Sequence, residues 1–291
     1  MTVQPEGTVS VGRADPPGNS GTPDIPANPG TAEAAGAPVL SVRGLRKVYP
    51  LGGRTERVAV ADVSFEVARG EFVCVVGPSG AGKTTLLRCM SGLLTPTAGQ
   101  ALVEGQPLRR VPAQVGVVFQ DYGRSLYPWL TVNRNVALPL KVRGMDRADR
   151  AERIADVLAS VGLHDVGRRY PWQLSGGMQQ RVAIARTLAY RPALLFMDEP
   201  FASVDAQTRF DLEDLILRVR ERFAVTVVFV THDIDEAVYL ADRVVVLSGS
   251  PSTVREVVPV PLPAARDQRG TRALPEFLAL RRRLLELVTS R

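Results

Sequence analysis

Three features of the sequence predict an α/β fold built on a mostly parallel sheet. Gly77-Pro78-Ser79-Gly80-Ala81-Gly82-Lys83-Thr84-Thr85 fits G-x-x-x-x-G-K-[ST], between an apolar β-branched run (Phe72 to Val76) and a helical pattern (Thr84 to Leu94). The runs Ala193 to Met197, Val225 to Val230 and Arg243 to Leu247 are short and nearly all apolar, as parallel strands covered on both faces are. Between the first two of these, Thr208 to Phe223 supplies the crossover helix that a parallel pair requires.

In chain order, residues 1 to 38 are rich in Pro, Gly, Thr and Ala and poor in large apolar residues. Such a segment cannot bury enough surface to offset chain entropy, so it is expected to be a disordered tail. A folded domain is placed at 39–260. Val39 to Val42 and Val63 to Val67 alternate as half-buried strands do, with Tyr49-Pro50-Leu51-Gly52-Gly53 read as a loop between them. A short strand near Ala101 to Val103 ends at Gly105, and Val115 to Phe119 reads as a buried strand that delivers Gln120 at its end. Residues 121 to about 190 change to helical spacing. Arg147 to Val161 carries Ile154, Val157, Leu158 and Val161, and a second helix is expected from Ser175 through Val182, Ala185 and Ala189. This is read as a helical insert. After Pro251 the sheet signal fades, and Pro259 to Pro263 reads as a linker opening a C-terminal segment at 261–291. There Leu274 to Val288 is amphipathic, with Phe277, Leu280, Leu284 and Leu287 on one stripe and Arg281-Arg282-Arg283 across the other face. Packing on its own domain and facing a partner or membrane both suit that pattern.

Length, charge and cysteine usage narrow the class. A chain of 291 residues, 45% hydrophobic and 23% charged, suits a soluble globular protein of one or two domains. No run approaches the roughly 18 apolar residues of a membrane span. The first thirty residues lack the apolar centre of a signal peptide, so the chain is expected to stay in the cytoplasm. The net charge of +6 is spread along the chain and argues weakly for nucleic acid or membrane. Cys74 and Cys89 read as small core residues, without metal-site spacing.

The chemistry concentrates in two further motifs. In the glycine loop, successive backbone N–H groups point into one concavity at a helix N-terminus, which suits phosphate. Lys83 would reach the β- and γ-phosphates, and the Thr84 hydroxyl would hold Mg2+. Leu194-Leu195-Phe196-Met197-Asp198-Glu199 is an apolar strand ending in two carboxylates, where open α/β sheets place ligands. Asp198 would hold Mg2+ through water, and Glu199 would polarise the attacking water as general base. Adjacent acids also suit a solvated turn, but the phosphate loop upstream favours the site. In Leu174-Ser175-Gly176-Gly177-Met178-Gln179-Gln180-Arg181, Ser-Gly-Gly at a helix start offers a hydroxyl, free N–H groups and the helix dipole to an anion.

The series formed by the phosphate loop, Gln120, Leu-Ser-Gly-Gly-Met-Gln-Gln-Arg, Asp198-Glu199, Asp205 and Thr231-His232-Asp233 resembles the ATPase subunit of an ABC transporter across residues 39 to 260. The resemblance implies a P-loop NTPase of the ABC ATPase type. Its expected parts are a mostly parallel sheet core, an N-terminal antiparallel β subdomain and a helical insert. ATP and Mg2+ are the implied ligands. Tyr49 would stack on adenine, although local packing of a loop tyrosine also suits it. Gln120 would touch Mg2+ and the water. Ser175, Gly176 and Gly177 would approach the γ-phosphate of ATP held by a second copy, Asp205 would lie in the loop crossing that interface, and His232 would hold the γ-phosphate and align Glu199. His164, the other histidine, reads as a surface residue. Val204 stands where the family more often has Leu before the aspartate.

The resemblance also implies partners. Two copies would clamp two ATP molecules head to tail and drive a separate integral membrane permease from its cytoplasmic face, with an extracytoplasmic solute-binding protein acting indirectly. Nucleic acid is not an expected partner. Tyr122 to Val132, with Tyr127 and Trp129, falls where a permease helix would dock, though burial in the insert suits it too. That stretch, Asn135-Val136-Ala137 and the tail from Pro275 to Leu285 are similar to importers of nitrate, sulfonates and taurine. Importers of vitamin precursors, riboflavin or bicarbonate share much of this look. ABC ATPases of lipid or lipoprotein export, and non-transport ABC proteins acting on DNA or ribosomes, are the alternatives. The latter usually carry two cassettes or a long coiled coil, and neither is found in this sequence.

Overall fold

The computed structural model describes Met1 and residues 37–52 and 55–290. The predicted disordered tail therefore lies almost wholly outside the described residues. Among the described residues ten strands form one sheet in the order β5-β4-β1-β2-β10-β9-β3-β8-β7-β6. A long hairpin comes first, β1 (Leu40–Gly52) with β2 (Thr55–Val67). β3 (Phe72–Val76) leads through the glycine loop to α1 (Lys83–Met90). β4 (Ala98–Val103) and β5 (Gln106–Pro107) complete an antiparallel wing on β1, and β6 (Val115–Val118) forms the far edge.

The insert follows as α2 (Tyr122–Ser125), α3 (Val132–Val142), α4 (Arg147–Ser160) and α5 (Gly176–Leu188). β7 (Leu194–Asp198), α6 (Ala206–Phe223), β8 (Thr226–Val230), α7 (Ile234–Leu240) and β9 (Arg243–Leu247) return to the parallel core. β10 (Ser252–Pro259), α8 (Gly270–Ala273) and α9 (Pro275–Thr289) end the chain.

β9, β3, β8, β7 and β6 pair in parallel, and all five present almost only apolar side chains because both faces of this part of the sheet are covered. The two-residue period sorts β3 cleanly. Phe72, Cys74 and Val76 enter a core shared with the insert, α6, α7 and α9, whereas Val73 and Val75 enter a core shared with α1 and the antiparallel wing. Cys74 and Cys89 are free and buried, as small core residues.

Three expectations need correction. The segment read as a loop at Tyr49–Gly52 is strand: Tyr49 pairs with Arg57, Pro50 with Glu56 and Gly52 with Thr55, while Gly53 lies outside the described residues. β4 runs alongside β1 only as far as Arg46, so beyond it one edge of β1 is unpaired and tolerates a proline that cannot donate. The sheet does not fade after Pro251. β10 joins β2 in parallel and β9 in antiparallel fashion and stitches the two halves of the sheet together. The linker reading therefore loses Pro259 to that strand. Phe119 is exposed and lies past the end of β6. Helix α3, which carries Pro139 in its interior, has no counterpart among the predicted elements.

α9 packs inward: Phe277 and Leu284 are fully buried in the core shared with α7, and Leu280 and Leu287 lean on it. The reading in which this stripe packs on its own chain is the one observed.

Candidate functional site

The C-terminal edge of the parallel sheet assembles the site. β3 ends at Val76, paired with Val246 of β9, and Val230 of β8 pairs with both Val75 and Asp198. The glycine loop, Asp198-Glu199 and Thr231-His232 therefore leave neighbouring strands at one level. Gly82 caps α1 at φ 79°, where a Cβ would sit 2.7 Å from the Ala59 carbonyl oxygen, so the loop can hug β2 only with glycine there. Glu199 itself takes φ 42°, a left-handed conformation that non-glycine residues rarely adopt and that clusters at functional sites. Pro200 behind it disfavours the right-handed alternative.

A cavity of about 720 Å3, within the size range of small-molecule sites, is lined by Ser79, Gly80, Gly82, Lys83, Thr84 and Thr85 on one side and by Glu199 and His232 on the other. Tyr49 closes its far wall, its hydroxyl 3.5 Å from Thr85 Oγ1 and its ring 5.4 Å from Lys47 Nζ. Lys83 is 7% exposed and donates from Nζ to the carbonyls of Gly77 (3.0 Å) and Pro78 (3.2 Å), with Glu199 Oε1 at 3.9 Å. Burial lowers its pKa, opposed by Glu199 and Asp198. Its charge is thus aimed at the loop's concavity and incompletely compensated, as a phosphate ligand needs. Ala81 is buried beneath the loop.

Thr84 Oγ1 donates to Asp198 Oδ1 at 3.2 Å, and burial holds the Asp198 pKa above the usual carboxylate range. A hydroxyl beside one carboxylate, opening on a phosphate cradle, is the oxygen-donor set Mg2+ takes when substrate phosphates complete its shell. Among the described residues no three acidic, histidine or cysteine side chains cluster as a self-sufficient metal site. His232 Nδ1 lies 3.0 Å from Glu199 Oε2, with the histidine side chain 60% exposed.

Comparison with known proteins bears on this geometry directly. A family model described as ABC transporter matches residues 60–202. An uncharacterized ABC transporter ATP-binding protein of Methanocaldococcus jannaschii is 45% identical over 249 residues, covering 86% of this chain and 91% of that protein. A nitrate import ATP-binding protein of Synechocystis sp. is 42% identical over 243 residues, covering 82% of this chain and 90% of that one. A solved dimeric ATP-binding cassette in a post-hydrolysis state, bound to ADP and Pi, superposes with a TM-score of 0.67 at 31% identity, over 76% of this chain and 98% of that one.

The chain belongs to the ABC transporter ATP-binding family. It binds ATP and is an ATPase coupled to transport. In this ABC ATPase the remaining sequence-predicted site residues stand apart from the cavity. Ser175 caps α5, its Oγ accepting from the Met178 N–H at 3.4 Å, with Gly176 and Gly177 in the first turn. Asp205 caps α6, accepting from the Thr208 N–H at 3.0 Å. A Cβ on Gly177 would lie 2.6 Å from Thr208 Cγ2, so the two helix starts touch and form a second cluster of their own. Gln120 lies two residues beyond Val118, as Glu199 lies two beyond Met197, the residue Val118 pairs with, but Gln120 is exposed and does not line the cavity. His164 is exposed.

Sequence reasoning missed Leu51, Arg57 and Ala59, which wall the cavity from the hairpin. The available signal was the short alternation Arg57-Val58-Ala59-Val60, hidden once residues 49–53 were read as a loop.

Proposed function

We propose that this ABC ATPase energises import of a small solute of the nitrate, sulfonate or taurine type through a separate integral membrane permease. The observation that carries the reading is the split site. Lys83, Glu199 and His232 share one cavity, while Ser175, Gly176, Gly177 and Asp205 lie outside it. That division suits a head-to-tail pair of copies in which each second cluster closes over the other copy's ATP.

In this mechanism the glycine-loop N–H groups and Lys83 hold the β- and γ-phosphates, and Tyr49 stacks on the adenine. Thr84 and Asp198 would hold Mg2+, which when bound would neutralise phosphate charge, and Gln120, outside the cavity here, would have to move in to join them. Glu199 takes a proton from the attacking water as its oxygen bonds to the γ-phosphorus, and the bond to the ADP oxygen breaks. His232 keeps Glu199 in line and touches the γ-phosphate. Departure of phosphate removes the contact that Ser175 of the second copy makes, and the pair opens.

Exposed aromatics support a permease-docking surface on the insert. Buried Asn135 pins the loop backbone by bonds to Tyr127 and Leu130, leaving Tyr127 and Trp129 44% and 68% exposed in edge contact. No helix among the described residues is long and apolar enough to cross a membrane, which suits a peripheral subunit at the cytoplasmic face. Likeness to the nitrate import protein supports the cargo class.

The test is co-purification. The Glu199→Gln chain, tagged and extracted from native membranes with ATP present, should bring down a multi-span permease and an extracytoplasmic solute-binding protein. That binding protein should take up nitrate, a sulfonate or taurine. Recovery of ribosomes, nucleic acid or soluble partners alone would overturn the transport assignment, and a binding protein selective for a vitamin precursor would overturn the cargo.

A further inference from the structure

A buried polar cluster lies directly behind the catalytic pair, and the mechanism above does not use it. Glu236, the third residue of α7, is 4% exposed, and its Oε2 accepts from Thr231 Oγ1 at 2.6 Å. Thr231 Oγ1 also accepts from the Asp233 N–H at 3.0 Å, so this hydroxyl is gripped from two sides. Thr231 immediately precedes His232. Arg209, one turn into α6 from the Asp205 cap, donates to Asp233 Oδ2 at 3.1 Å, and its buried Nε lies 3.6 Å from Glu236 Oε1 without a hydrogen-bond acceptor. A small cavity of about 30 Å3 is enclosed by Glu199, Ala202, Arg209, His232 and Glu236 together with Thr231 and Asp233. It is polar and wide enough for one water to satisfy that Nε.

Leaving a buried donor and acceptor loosely paired is costly, so a chain retains them where they hold something in place. What is held here is the backbone on which His232 stands.

We infer that Glu236 is a positioning residue for ATP hydrolysis: through Thr231 it fixes the stem from which His232 reaches Glu199, and Arg209 ties that stem to the α6 turn beginning at Asp205. The inference rests on the reading of Glu199 and His232 as the hydrolytic pair. Burial also raises the Glu236 pKa to about 7. The hydrogen bond survives either protonation state, because a neutral carboxyl keeps a carbonyl oxygen that can accept. Glutamine can therefore replace the carboxyl in this role.

The experiment measures kcat, KM and ATP Kd for Glu236→Ala, Glu236→Gln, Thr231→Val and the double variant Glu236→Ala/Thr231→Val, with melting temperatures alongside. Displacing a catalytic group slightly costs rate rather than binding, so Glu236→Ala and Thr231→Val should each lose about tenfold or more in kcat with KM and Kd changed less than about threefold. Glu236→Gln should recover kcat to within about threefold of the native chain. The double variant should fall no lower than the worse single one, since both break one path. If Glu236→Ala does not fold, the near-isosteric Thr231→Val decides the matter. The inference is overturned by single variants within about twofold of native kcat, by Glu236→Gln losing as much as Glu236→Ala, or by losses carried in KM and Kd. Full turnover by Glu199→Gln would instead overturn the underlying hydrolytic assignment.

Discussion

The corner proposed for hydrolysis and the C-terminal clamp both bury charge, and they settle it differently. In the clamp, fully buried Glu213 of α6 accepts from Arg272 of α8 at 2.6 Å and from Gln268 at 3.0 Å. Gln268 also donates to Asp214 and to the Phe210 carbonyl, and Tyr239 donates to Asp214 at 2.7 Å. The Arg272 guanidinium lies over the rings of Phe210, Tyr239 and Phe277 at 4.9 to 5.8 Å. In the proposed corner, Lys83 rests on two backbone carbonyls and stays 3.9 Å from Glu199, and Asp198 has a single hydroxyl donor at 3.2 Å. Burial raises the pKa of both Glu213 and Asp198, so both acids carry a desolvation cost. The clamp offsets most of that cost internally through Glu213 Oε2, while the buried Oε1 has no hydrogen-bond partner. Under the proposed mechanism the corner would leave that cost to be offset by ligand, with the backbone keeping the charges apart until then.

The contrast is open to direct attack. The largest effect is expected at the corner: Glu199→Gln should lower kcat by roughly 10²- to 10⁴-fold while ATP still raises the melting temperature. A variant with near-native single-turnover rate would remove the distinction.

At the clamp the effect should be on stability. Arg272→Ala strands Glu213 as a buried charge and should cost about 3–5 kcal/mol in denaturant unfolding, with ATP affinity unchanged in the folded protein. Replacing both partners, Glu213→Leu with Arg272→Met, should recover most of that loss, as apolar replacement of buried pairs does elsewhere. A double variant as unstable as the single one would mean the pair does more than neutralise itself.

The smallest effect is a pH slope between the two regions. Glu236 is raised from 4.5 to about 7. Between those values the folded chain holds a proton that the unfolded chain has released. Its contribution to stability is therefore full below pH 4.5 and is lost as pH rises through 7. Glu236→Gln should flatten unfolding free energy against pH across that window by on the order of 2–3 kcal/mol. An unchanged slope would place the titration elsewhere.

The legible parts of the molecule were those whose information is local. The glycine loop with Lys83 and Thr84, and the apolar strand closing on Asp198-Glu199, each depend on residue types at fixed short spacing, and the structure brings them to one sheet edge. Ser175 was readable as a helix start and caps α5, whereas Asp205, expected only as a loop residue, caps α6. The segments that were misread depend on neighbours. Tyr49–Gly52 looks like a turn by composition and is strand because Thr55–Arg57 folds back on it. Ser252–Pro259 has little alternation of its own and becomes strand because β2 and β9 present edges on both sides. Arg57, Arg209 and Glu236 carry no motif and read as ordinary solvated charges.

By itself, then, the sequence determined that a parallel α/β core would hold a phosphate loop beside two carboxylates, since helix caps, glycine turns and apolar runs act over a few residues. Only the tertiary structure decided that Arg57 and Ala59 would wall the cavity, that β10 would join the two half-sheets, and that Glu236 would sit buried behind His232. Those outcomes depend on strand register and on which charge is shielded from water, and both are set by residues tens to hundreds of positions away.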